Sequence, residues 1–133
     1  MKKLKYESIT KIIIKAFYNV YNQLGYGFLE SVYEKAMIYE LNRFNISVKS
    51  QVPIDVYYYD KQVGHFRADL IIEDKIIVEL KSKKILIKQD EAQLLNYLNA
   101  TNKEVGLLLN FGKKAEIIRK VFDNKIKKYK RKK

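Results

Sequence analysis

The run Val105-Gly106-Leu107-Leu108-Leu109-Asn110-Phe111 constrains this chain more than any other stretch. It is too short to read naturally as a helix, and too apolar for a strand with one face in water. A strand of this kind is buried on both faces. Asp90 to Ala100, just upstream, has helical spacing, and Lys75 to Leu80 before it is β-branched and apolar. Strand, helix and buried strand make a right-handed crossover, so the last pairing is expected to be parallel.

The first part of the chain reads as a pair of helices joined by a short glycine turn. Ile9, Ile12, Ile13, Ala16, Phe17, Val20, Tyr21 and Leu24 recur at helical spacing over Ser8 to Leu24, and Gly25-Tyr26-Gly27 stops that helix. A second helix is expected over Leu29 to Phe44, with Val32, Tyr33, Ala36, Met37 and Leu41 inward. Val52 to Tyr59 and Val63 to Ile72 then join Lys75 to Leu80 in an antiparallel meander. The expected order is ααβββαβ, a mixed α/β (α+β) fold with four strands. Residues 1–133 read as one domain, and 113–133 as a basic C-terminal helix and tail.

Charge sharpens the choice of partner. Lys+Arg number 27 against 15 Asp+Glu, a net +12, and Lys113 to Lys133 holds eleven basic and two acidic residues, leaving only +3 for the rest. A basic tail on a nearly balanced body suits a polyanion, and the candidates for phosphate contact are Lys125, Lys127, Lys128, Lys130, Arg131, Lys132 and Lys133. With 23 lysines and four arginines, dense bidentate reading of base edges is disfavoured. The chain has no cysteine and one histidine, His65, which closes thiol chemistry, Cys-ligated zinc and any site built on several histidines. No apolar run approaches the ~20 residues of a membrane span. A cytoplasmic protein without a membrane partner is expected.

Carboxylates and lysines therefore carry whatever chemistry there is. On the strand Ile76 to Lys81, Glu79 and Lys81 share a face. If Glu73-Asp74-Lys75 is a three-residue connection, Ile72 pairs with Ile76 and Asp69 falls opposite Glu79; a two-residue turn would scatter the set. Two opposed carboxylates repel, and a hard divalent cation such as Mg²⁺ or Mn²⁺ would relieve that and accept phosphate oxygens as further ligands. The plainer alternative is a strand face where Glu79 and Lys81 form a solvated ion pair.

Asp69 followed by Glu79-Leu80-Lys81 resembles the PD-(D/E)XK nuclease signature, and Gly27-Phe28-Leu29-Glu30-Ser31-Val32-Tyr33 is similar to the G-x-x-E-x-x-Y motif of one small family within that superfamily. Gln51-Val52-Pro53 and Ala92-Gln93-Leu94-Leu95-Asn96-Tyr97-Leu98 extend the likeness. The resemblance implies a four-stranded mixed sheet flanked by helices, the restriction-endonuclease-like fold, and a metal-dependent nuclease acting on DNA rather than RNA. It implies Asp69 and Glu79 as metal ligands, Lys81 as the catalytic lysine, Glu30 as an additional acid near the metal, and Gln93 and Tyr97 as a pair organising the site. One departure is Tyr21, where relatives usually carry histidine. The plainer roles are an acid at a helix start for Glu30, a helix cap for Gln93 and core packing for Tyr97. Two other readings remain open: a nucleic-acid-binding module that keeps the fold without turnover, and a protein-interaction subunit. So small a domain would draw specificity from nucleic-acid structure, a partner or a homodimer.

Overall fold

The computed structural model describes residues 4–127. Helices α1 (Glu7–Leu24) and α2 (Glu30–Arg43) precede strands β1 (Val48–Tyr58), β2 (Lys61–Ile72) and β3 (Ile76–Lys81); α3 (Lys88–Asn99), β4 (Val105–Phe111) and β5 (Ala115–Val121) follow. The strands form one sheet in the order β1-β2-β3-β4-β5. Every neighbouring pair is antiparallel except β3 and β4, which run parallel around the α3 crossover. All seven residues of β4 are buried. Val105, Leu107, Leu109 and Phe111 pack with α1 and α2, while Leu108 packs with Leu94, Tyr97 and Leu98 of α3.

The sheet has five strands, not the expected four, and residues 115–121 form β5 where a basic helix was expected to begin at Lys113. Ile117 packs on the α1–α2 side and Ile118 on the α3 side, a period of two that the surrounding charges disguise. Those charges are the normal equipment of an edge strand. Lys120 pairs with Glu91 of α3 at 2.7 Å, and Arg119 donates to the Lys5 carbonyl at 3.0 Å on the opposite face. Without β5, one side of β4 would have a buried row of unpaired backbone groups.

Two local devices set the geometry around the β2–β3 ends. Glu73 and Asp74 have φ of +54° and +55°, and Lys75 N–H donates to the Ile72 carbonyl at 3.0 Å, the signature of a tight hairpin turn with both central residues left-handed. Lys75 nevertheless stays outside the ladder, which resumes with Ile72 paired to Ile76, so the connection is three residues long. Between α1 and α2, Gly25 and Gly27 take φ of +71° and +108°. Tyr33, fully buried and stacked 4.1 Å from Phe111, fixes that turn by donating to the Gly25 carbonyl at 2.6 Å and accepting from Phe28 N–H at 3.2 Å. Tyr21, at the position that departs from the family pattern, donates to the carbonyls of Gly112 and Lys113, at 2.7 and 2.8 Å, and so clasps the β4–β5 turn.

Helix α3 lies tightly over β4 at Gly106, where an added Cβ would lie 2.6 Å from Leu94 Cδ1. Gly106→Val is expected to cost about 1–3 kcal/mol by overpacking. Chemical denaturation would show it as a lowered midpoint at unchanged slope; an unchanged midpoint would contradict the packing of α3 on β4.

Candidate active site

The β2–β3 ladder ends at Leu70–Val78, one residue short of Asp69 and Glu79. Beyond that point the side chains replace the ladder. Asp69 N–H donates to Glu79 Oε2 at 2.8 Å, and Leu80 N–H donates to Asp69 Oδ2 at 2.8 Å. Each carboxylate thus has one oxygen committed to a backbone donor of the other strand, which fixes its orientation. Opposite Asp69 on β1, Gln51 has φ of +52°, and the hairpin rolls there. Val48 packs on the α1–α2 side, whereas Val52 and Ile54, of the same parity, pack on the α3 side. The roll lets acids from α2 and amides from α3 approach one point.

On the α3 side Lys81 Nζ donates to Gln93 Oε1 at 3.1 Å, and Gln93 Nε2 donates to Tyr97 Oη at 3.1 Å. Gln93 is therefore not the helix cap; Asp90 fills that place by accepting from Ile87 N–H at 2.9 Å. On the α2 side Gln51 donates to Glu34 Oε1 at 2.7 Å and also to the Asp69 carboxylate. Glu34 and Gln51 are site residues that sequence reasoning missed as such. Glu34 offered one signal, a like charge four residues after Glu30 that disfavours a bare helix face. Asn110, the one polar residue of β4, was a second unread signal. Fully buried, it accepts from Lys83 N–H and donates to the Lys83 carbonyl, both at 2.9 Å, and so holds the chain just past Lys81.

Of the residues singled out in the sequence, Asp69, Glu79, Lys81, Gln93 and Tyr97 converge. Glu30 is exposed at the first turn of α2, close enough to act electrostatically on Glu79 but without a hydrogen bond to the set. Among the described residues no three carboxylates or histidines are gathered tightly enough to hold a metal by themselves. His65 pairs with Asp55, outside the set. Lys127 Nζ is tied to the carbonyls of Thr101 and Lys103, at 3.0 and 2.7 Å, and Lys125 lies in a short 3₁₀ turn. The expected phosphate contacts Lys128, Lys130, Arg131, Lys132 and Lys133 lie outside the described residues.

Electrostatically the pair is strained. Burial, then the charge of Asp69, pushes the Glu79 carboxyl up to about 8, and burial likewise raises Asp69 against the pull of the Leu80 N–H and Lys81. Burial raises Glu34 as well, with Asp69 and Glu30 adding to it. Glu79 is only 3% exposed, and its Oε2 is the oxygen committed to the Asp69 N–H. A buried pair of hard oxygen donors, unable to ionise together at neutral pH, fits Mg²⁺ or Mn²⁺, which take one or two carboxylates and complete their shells with water and phosphate.

The raised pKa has a consequence for stability. Between pH 4.5 and about 8 the folded chain holds a proton on Glu79 that the unfolded chain releases. Its contribution is complete below pH 4.5 and lost as pH rises through about 8. In chelator at pH 8, Glu79→Gln is expected to melt about 3 °C or more above the parent chain and to flatten its fall in Tm over this range. A lower Tm for the variant would contradict the strained pair.

Comparison with known proteins agrees with this fold. A solved structure described as "Crystal structure of SSO0001" superposes with a TM-score of 0.57 at 20% identity, covering 90% of this chain. That likeness shows the fold, and this chain spans 60% of the other's length. No curated protein matches. The sequence profile of the PD-(D/E)XK nuclease superfamily matches residues 7–121, with Asp69, Glu79 and Lys81 inside that span. The chain belongs to the PD-(D/E)XK nuclease superfamily.

Proposed function

We propose that this chain is a Mg²⁺- or Mn²⁺-dependent phosphodiesterase acting on nucleic acid, DNA in preference to RNA, and that it belongs to the G-x-x-E-x-x-Y branch of its superfamily. The observation that carries the reading is the interlock of Asp69 and Glu79 across the end of the β2–β3 ladder, with Lys81 one strand step away on the same face. Asp69 and Glu79 would hold the cation. Bound there, it would polarise the scissile phosphate and activate water for attack.

The protein's own part is positioning and charge. Lys81 spends one of its three donors on Gln93 Oε1 and can offer the others to phosphate oxygens, where negative charge develops during in-line attack. Gln93 cannot turn without losing either Lys81 or Tyr97, so Gln93 and Tyr97 are positioning residues that aim the ammonium. Gln51 does the same for Asp69 from the other side while tying it to Glu34. Glu30 would reach the cation through water. The basic C-terminus, including Lys125, would add sequence-independent attraction to phosphates, and a homodimer would enlarge the contact surface.

Asp69→Ala and Lys81→Ala are each expected to lower Mg²⁺-dependent cleavage at least about 100-fold while far-UV circular dichroism stays unchanged. Gln93→Ala is expected to cost roughly 10–100-fold, and Gln93→Glu to restore part of the rate by pairing with Lys81, with the pH optimum moved. Full activity in Asp69→Ala or Lys81→Ala would overturn the site. Tight, salt-sensitive binding that ignores chelator, with no cleavage by the parent chain, would make it a binding module. Removing residues 128–133 is expected to weaken DNA binding and flatten its salt dependence, by about 0.9 per lost phosphate contact on a logarithmic plot.

A further inference from the structure

A groove of about 460 Å³ opens between α3 and the β1–β2 hairpin, and its wall includes Gln93 and Tyr97. It therefore continues directly from the residues that aim Lys81. Among the described residues, no lysine or arginine lines this groove. Val56, Phe66 and Ala92 give it an apolar floor, and Gln89, Gln93, Asn96 and Asn99 surround it with amides. A phosphate has no counter-charge here. A flat, neutral ring with donors and acceptors on its edge has both its face and its edge provided for.

Phe66 supplies the face. It is 47% exposed, and its ring lies against Tyr97 at a centroid distance of 5.8 Å and a tilt of 42°. The ring also runs over Gly64, where an added Cβ would come within 2.9 Å of Phe66 Cε2. An aromatic held this way, with half its surface open, is a stacking platform. Asn99, which also lines the groove, keeps its side-chain oxygen buried without a hydrogen-bond partner among the described residues. A buried amide oxygen without a donor is costly unless a ligand provides one.

We propose that this groove receives an unpaired nucleobase, stacked on Phe66 and read at its edge by the surrounding amides, of the strand whose phosphate lies at Asp69, Glu79 and Lys81. This rests on the phosphodiesterase reading of that site and narrows its substrate to single-stranded or locally unpaired nucleic acid. A base inside a duplex is stacked on both faces and cannot enter without being extruded.

The test is fluorescence anisotropy in chelator, with a short oligothymidylate, a strand of the same length built only of abasic sites, and a blunt duplex. The parent chain is expected to bind oligothymidylate about tenfold more tightly than the abasic strand, the order of one base–aromatic stack. Phe66→Ala is expected to lose that advantage and leave abasic-strand and duplex binding unchanged, and Phe66→Trp to restore it. Equal affinity of the parent chain for base-bearing and abasic strands would overturn the proposal and return the groove to a protein partner, as would a Phe66→Ala loss equal on all probes. Because the titration needs neither metal nor hydrolysis, base selectivity without cleavage would count against the phosphodiesterase alone, and cleavage without base selectivity against the groove alone.

Discussion

Two hydrogen bonds between side chain and backbone hold the centre of this molecule together: Asp69 N–H to Glu79, and Leu80 N–H to Asp69. They stand where the β2–β3 ladder would otherwise have continued, and they let the strands part without leaving backbone donors unpaired. In return two carboxylates are brought into a largely dry place where they cannot both be charged comfortably. Almost everything nearby serves that arrangement. The hairpin turn at Glu73-Asp74 sets the register, the roll at Gln51 opens the sheet end, and Asn110 holds the chain that leaves β3. Tyr33 and Ser82 tie the glycine turn before Glu30 to the same region, Ser82 by donating to the Phe28 carbonyl at 2.7 Å.

Much of this was legible in the sequence, for definite reasons. Val105 to Phe111 announced a strand covered on both faces, and helix α3 before it required a parallel crossover; both are present. The convergence of Asp69 and Glu79 was legible only on condition of a three-residue connection, since side chains alternate and a two-residue turn would have separated them; the register Ile72–Ile76 meets that condition. Strand β5 was hidden because Arg119 and Lys120 stand among its apolar residues on opposite faces, one reaching the Lys5 carbonyl and the other Glu91, so period two does not show as apolar and polar alternation. Gln51 and Glu34 were hidden for another reason. Only a left-handed residue in β1 and the packing of α2 bring them to Asp69, and neither can be read from spacing.

The site also shows how one set of contacts serves both shape and chemistry. Tyr33 of the G-x-x-E-x-x-Y stretch is a structural residue, buried against Phe111 and locked to the glycine turn, yet it decides where α2 begins and so where Glu30 and Glu34 stand. Gln93 likewise spends both ends of its amide on aiming one ammonium. Stability is given up at Glu79, where burial and the charge of Asp69 push the carboxyl up to about 8.

The central claim is that Asp69 and Glu79 form one proton-holding pair made to exchange that proton for a cation. Calorimetric titration with Mn²⁺ at pH 7, repeated in buffers of different ionisation enthalpy, tests it most directly. The expected result is saturable binding that releases close to one proton per ion, with both binding and release lost in an Asp69→Ala/Glu79→Ala variant. Binding without proton release, or binding that survives in the variant, would contradict it.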